Sequence, residues 1–194
     1  PVGTIVENVN GTYALLEYSR KHGAKRFCYI SSGEVEGLFD DCPLETLYLG
    51  RNLSYSSTKD YGYSPFYNQT ELKSVTIGTS VTSIGYYAFF GCSSLTSVTI
   101  PNSITSIGIY AFRGCSSLTS VTFANSVTSI GNRAFALCTG LKSVIIPNSV
   151  TSIGETAFSG CSALESINIA IDNLTYKSKD GILYNKNLTT IIRF

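Results

Sequence analysis

Apolar and polar positions recur along this chain with one fixed period. Leu72, Leu95, Leu118, Leu141 and Leu164 stand 23 positions apart, and Ile84, Ile107, Ile130 and Ile153 keep the same step. Phe89, Phe112, Phe135 and Phe158 follow it, each preceded by an alanine, and so do Cys92, Cys115, Cys138 and Cys161. A period of this size signals stacked units that bury their apolar faces against one another. Within one unit, Leu95-x-x-Val98-x-Ile100 ends in the alternation of a half-buried strand, so Ser97 and Thr99 face outward, as Ser120 and Thr122 do one unit later. Pro101-Asn102-Ser103 is turn chemistry, and Ile104 to Ile107 is a second short extended piece. Gly108 lets the chain bend, and the stretch to Gly114 has room for about one helical turn. Each coil therefore has three sides. A lone coil buries too little apolar surface to offset the ordering of its backbone, so stability arises only when neighbours cover each other.

The same pattern divides the chain. Residues 72–168 hold four regular 23-residue repeats, and residues 38–71 hold divergent ones, where Leu44-x-x-Leu47-x-Leu49 matches the strand and Gln69 replaces the cysteine. Between Leu44 and Leu72 the step lengthens to 28, so five additional residues bulge out within Arg51 to Ser64, bearing Tyr55, Tyr61 and Tyr63. Residues 1–37 keep only hints such as Phe27-x-Tyr29 and are expected to form an irregular cap or degenerate coils. Residues 169–194 read as a variant repeat, with Asp180-Gly181 as a tight turn before Ile182-Leu183-Tyr184. Thr189 to Phe194 would be a further strand, as in an array cut short.

The unit S-I-G-x-x-A-F-x-G-C-S-S-L-T-S-V-T-I-P, with the tail from Tyr176 to Lys186, resembles the BspA-like, Treponema pallidum type of leucine-rich repeat over residues 38–194. The resemblance implies a right-handed leucine-rich-repeat superhelix, β-rich, with parallel sheets and very short helical turns. It further implies a noncatalytic, secreted or surface-displayed bacterial protein that adheres to matrix proteins or host and neighbouring cells. A structural spacer and a carbohydrate-binding module are the alternatives.

Composition narrows the chemistry. With 14 basic and 13 acidic side chains the net charge is +1, so no strong field selects nucleic acid. No apolar run is long enough to span a membrane. The single histidine, His22, lies among cations in Arg20-Lys21-His22-Gly23 and reads as a solvated loop residue, not a general base. Asp40-Asp41 are sequence neighbours and diverge. No phosphate-binding loop or nucleophile elbow occurs, so no enzyme and no cofactor is expected, and residues 1–36 are too few to build a pocket alone. The four periodic cysteines are expected to form a ladder of buried free thiols, their Cβ vectors parallel, and not a metal site, whose ligands must converge. Cys28 and Cys42 fall outside it, and whether they pair stays open. Five N-x-S/T sequons, at Asn10, Asn52, Asn68, Asn173 and Asn187, follow from the Asn, Ser and Thr content.

Two surfaces are candidates for binding a protein ligand by a monomer. One is the strand face carrying Ser97, Thr99, Ser120 and Thr122, whose hydroxyls could equally pair with one another across strands. The other is the set of positions that differ between coils, Tyr86, Tyr87, Tyr110 and Arg133, with the bulge residues Arg51, Tyr55, Tyr61 and Tyr63, because tyrosine and arginine commonly anchor interfaces.

Overall fold

A computed structural model describes residues 44–50, 52, 64 and 66–188, and the strand backbone of Arg26–Tyr29. The strands in chain order are β1 (Arg26–Tyr29), β2 (Thr46–Leu49), β3 (Ser74–Ile77), β4 (Ser83–Ile84), β5 (Ser97–Ile100), β6 (Ser106–Ile107), β7 (Ser120–Phe123), β8 (Ser129–Ile130), β9 (Ser143–Ile146), β10 (Ser152–Ile153), β11 (Ser166–Ile169), β12 (Tyr176–Lys179) and β13 (Ile182–Asn185). They wind a parallel β-solenoid. The repeat pattern thus gives the expected 23-residue coils, with β3, β5, β7, β9 and β11 starting one period apart.

The first side of each coil is a four-residue strand. β1, β2, β3, β5 and β7 form one parallel sheet, and β9 pairs in parallel with β11. Side chains alternate as the sequence requires: Val98 and Ile100 point into the core, while Ser97 and Thr99 are exposed. Although β2 and β3 are 28 residues apart, Leu47 still lies opposite Val75 and Leu49 opposite Ile77. The five additional residues therefore leave the strand register, and with it the inward face, undisturbed. The second side is a two-residue strand in each coil, and β4, β6, β8 and β10 stack in that order with Ile84, Ile107, Ile130 and Ile153 buried. At the corner that follows, a Cβ on Gly108 would lie 2.6 Å from the carbonyl carbon of Gly85. Only glycine allows coils to approach this closely there.

The third side differs from the helical turn expected from the sequence, because there is no helix among the described residues. The amide of Phe90 donates to the carbonyl of Tyr87 at 3.1 Å and that of Cys92 to Phe89 at 3.3 Å, closing single turns. The intervening amides reach the next coil instead, Tyr87 to Ile109 at 3.1 Å, Phe89 to Ala111 at 2.7 Å and Gly91 to Arg113 at 2.8 Å. A helix would keep all these donors to itself. Turning some of them outward puts residues in the left-handed region, Tyr87 at φ 54° and Gly91 at 71°, then Tyr110 at 59° and Gly114 at 76°.

One continuous core fills the space between the sides. Its spine is a column of stacked rings, Phe66, Phe89, Phe112, Phe135 and Phe158, with successive centroids 5.5, 5.2, 5.2 and 5.6 Å apart and planes within 16°. Phe123 meets Phe135 edge-on at 5.7 Å.

The last described coil is remade as an antiparallel hairpin of β12 and β13. Asp180 and Gly181 both have positive φ, 54° and 77°, which suits a two-residue hairpin turn. Asn173, almost fully buried, donates to the carbonyls of Pro147 at 2.8 Å and Val150 at 3.0 Å and accepts the amides of Thr175 and Tyr176, both at 2.8 Å. With every polar atom occupied it ties the hairpin to the coil before it. It is therefore no glycan acceptor as it stands.

Candidate interaction surfaces

On the strand side, Ser97, Thr99, Ser120 and Thr122 point to solvent in two rows, and the registers Ser97 to Ser120 and Thr99 to Thr122 set them side by side. Among the described residues their hydroxyls make no hydrogen bond to one another or to any other group, so they do not pair across the strands. Other hydroxyl columns do hold coils together. Thr119 Oγ1 donates to the carbonyl of Thr96 at 3.1 Å, and Thr128 Oγ1 to Thr105 at 3.0 Å. The unused hydroxyls end at Ile145, which takes the outward position in β9 and is 65% exposed. Thr99 and Thr122 also border a broad hollow of about 760 Å³ shared with Pro101, Asn102 and Phe123.

The turn side carries the positions that vary between coils. Tyr87 and Tyr110 occupy equivalent places in successive coils and stack, centroids 4.8 Å apart and planes 10° from parallel. Arg133, one coil further on, lies over Tyr110 at 5.7 Å, and its Nη1 donates to the Tyr110 hydroxyl at 2.9 Å. A second column runs beside this one. Tyr67 stacks on Phe90 at 4.8 Å, and Arg113 covers the other side of Phe90 at 5.0 Å. The columns touch through Tyr87 and Phe90, 5.8 Å apart, and through Arg113 and Tyr110, 6.0 Å apart.

Of the residues expected at this surface, Tyr87, Tyr110 and Arg133 are brought together. Tyr86, 43% exposed, lies instead at a shallow groove of about 390 Å³ that it shares with Ile109 over Gly85 and Gly108. Arg51, Tyr55, Tyr61 and Tyr63 lie outside the described residues, as do His22, Asp40, Asp41 and Cys42, and of Cys28 only the backbone is described. Tyr67, Phe90 and Arg113 were not singled out from the sequence. Their signal was present, because residues 67, 90 and 113 read aromatic, aromatic, arginine at the 23-residue step, as 87, 110 and 133 do.

Cys92, Cys115, Cys138 and Cys161 are free and buried. Each thiol points at a backbone carbonyl of the coil before it, with Sγ 3.2 Å from the oxygen of Phe66, Phe89 and Phe112 in turn and 3.1 Å from that of Phe135. Burial pushes the Cys92 thiol up to about 12 and that of Cys161 up to about 11, and it raises Cys138 as well. Cys115 rises well above the usual range, through burial first and its neighbouring thiols second. Groups held so firmly protonated serve as packing, not as nucleophiles. Among the described residues no cluster of His, Cys, Asp or Glu could hold a metal ion, and no helix is long and apolar enough to cross a membrane.

A family model described as BspA type leucine rich repeat region matches residues 59–189 in six copies. The chain belongs to this family. Among solved structures, a leucine rich cell surface protein from Faecalibacterium prausnitzii is similar at 30% identity over 88% of this chain and 54% of its own, with a TM-score of 0.58. The Treponema pallidum leucine rich repeat protein is similar at 30% identity over 74% of this chain and 58% of its own, with a TM-score of 0.54. The pneumococcal vaccine antigen PcpA shares the fold, at 22% identity over 87% of this chain and 40% of its own and a TM-score of 0.66. This leucine-rich repeat chain thus spans between two fifths and three fifths of the length of these structures. No curated protein matches the chain.

A model of the NAD dependent epimerase/dehydratase family also matches residues 1–107. The two matches overlap over residues 59–107, where the described residues form solenoid coils with parallel strands and no helix. A dinucleotide pyrophosphate is ordinarily seated on the N-terminus of a helix that follows a strand. β3 runs instead through Gly78, Thr79 and Ser80 into β4. Residues 1–25 and 30–43 of this match lie outside the described residues, and the described ones hold no strand-to-helix turn of that kind.

Proposed function

We propose that this leucine-rich repeat chain is a noncatalytic recognition module, secreted or displayed on a cell surface, that binds proteins of a host or a neighbouring cell. The observation that carries this reading is the likeness, at 30% identity over most of this chain, to a protein described as a cell surface leucine rich protein. The build of the solenoid supports it as well. A stack of coils offers long open surfaces of repeated side chains, and its buried thiols lack the lowered pKa of a nucleophile. The test is capture of matrix proteins and of epithelial membrane proteins by the immobilised chain. Binding to one or more, retained at physiological salt, is the expected result. Failure to bind any of them would leave the spacer role standing in its place.

The match of residues 1–107 to an NAD dependent family favours a second reading, in which the segment before the first described coil contributes to dinucleotide binding. Titration of NADH fluorescence with the chain tests it. We expect no change in emission, and a saturable enhancement would restore that reading.

A further inference from the structure

We propose that the paired columns on the turn side form the docking site for an acidic segment of a protein partner. The inference rests on the recognition role proposed above and names the surface and the partner's chemistry.

Each column is aromatic, aromatic, arginine along the solenoid axis: Tyr67, Phe90, Arg113 in one and Tyr87, Tyr110, Arg133 in the other. Stacking occupies the faces of the two middle rings. Phe90 lies between Tyr67 and Arg113, and Tyr110 lies between Tyr87 and Arg133. What remains for a ligand around Phe90 and Tyr110 is ring edges, the Tyr110 hydroxyl and guanidinium N–H groups. The face of an aromatic ring carries its negative potential and the edge its positive. The ridge therefore presents donors and electropositive rims, and a carbohydrate that needs an open ring face finds none on Phe90 or Tyr110.

The two guanidiniums supply the charge. Neither Arg113 nor Arg133 has a carboxylate within ion-pair distance among the described residues. Each is held over a ring, which reduces the freedom a flexible cation loses on binding. Arg133 uses one donor on the Tyr110 oxygen, which leaves the phenol proton and the remaining guanidinium protons free for an incoming acceptor. A carboxylate fits this arrangement, because a planar fork binds it through two parallel hydrogen bonds. A polyanion such as sulfated glycan fits less well. Its binding grows with the number of charges it meets, and this chain has a net charge of only +1.

The experiment selects random twelve-residue peptides displayed on phage against the full chain, then measures fluorescein-labelled winners by polarisation on the wild type, the Arg113→Gln/Arg133→Gln pair and the Arg113→Lys/Arg133→Lys pair. Heparin is measured alongside. We expect winners rich in Asp and Glu, about tenfold weaker on the Gln pair and less affected on the Lys pair. If the Gln pair melts below the wild type, the Lys pair still reports the loss of the planar fork as a drop of several-fold. Winners without acidic residues, or equal affinity for all three proteins, would overturn the acidic ridge while leaving a recognition module. Ridge-dependent heparin binding with no acidic winners would overturn the protein partner. No peptide captured and no matrix or membrane protein bound would overturn both readings together.

Discussion

The strand side and the turn side of each coil come from the same 23-residue unit, yet they hold their neighbours by different means. On the strand side the hydrogen bonds form a regular parallel sheet, core and solvent residues alternate, and the outward hydroxyls of Ser97, Thr99, Ser120 and Thr122 bond to nothing among the described residues. On the turn side the amides are shared between single turns and the next coil, and residues are forced into left-handed backbone. There, both inside and outside, side chains of successive coils stack face to face. On the strand side the outward positions are mostly small hydroxyl residues, with Ile145 the departure in β9. The turn side is where coils differ most, Tyr87, Tyr110 and Arg133 holding equivalent places in successive coils.

That contrast can be broken by mutation. The largest expected effect is that of Phe112→Ala, which interrupts the ring column between Phe89 and Phe135. It should lower stability by about 3–5 kcal/mol in urea titrations. Val98→Ala on the strand side should cost roughly 2 kcal/mol. Equal losses would mean that the two sides share the core evenly. Gly108→Ala, at the corner, should cost about 3 kcal/mol because a Cβ there meets the backbone of Gly85. Gly114→Ala meets nothing closer than 3.7 Å, so only its φ of 76° opposes it, at about 1 kcal/mol. Thermal melts that ranked them the other way would show that the corner can yield.

The buried thiols report on the turn side separately. Their pKa values are raised by folding, so the protonated form favours the native state. The stabilisation is full below the ordinary thiol value of 9.0 and is lost as pH climbs toward about 12 for Cys92. Above pH 9 each such thiol should contribute a fall of up to about 1.4 kcal/mol per pH unit. At pH 8 we expect these four thiols to ignore Ellman's reagent until denaturant is added. Rapid reaction of any of them in the native protein would show that the turn side opens locally. Leu137→Gly should act in the opposite direction. Leu137 has φ 59° where sister coils place Gly91, Gly114 and Gly160, and it is 43% exposed, so the change should stabilise by about 0.5–1 kcal/mol in the same melts. The smallest effect is expected for Thr99→Val with Thr122→Val, within about 0.5 kcal/mol. A larger loss would assign the hydroxyl rows a structural task that their hydrogen bonding does not show.

Much of this architecture was readable beforehand. The 23-residue step placed Leu95, Val98, Ile100, Phe112 and Cys115 in the core, and an alternating strand can turn only one set of side chains inward. The hairpin at Asp180-Gly181 was equally legible, since that pair suits a turn with two positive φ values. The absence of a helix after Gly108 was not. A short apolar and aromatic stretch between glycines is compatible with a helical turn, and only the donors of the neighbouring coil decide that alternate amides face outward. The ridge was half legible. Tyr87, Tyr110 and Arg133 stand out as differences between coils, whereas Phe90 and Arg113 occupy a column that also holds Ala136 and Ser159, so no shared residue type marks it.

By itself, the amino-acid sequence determined the coil length, the strand register and the identity of the buried columns, because a side chain repeated at a constant interval must lie over its own copies once coils stack. The tertiary structure alone decided which unlike residues became neighbours. Tyr87 and Phe90 meet sideways, and Arg113 reaches Tyr110, because the sign of φ at a few turn residues sets how adjacent columns lean. That angle is settled by hydrogen bonds to the coil above, which no single repeat contains.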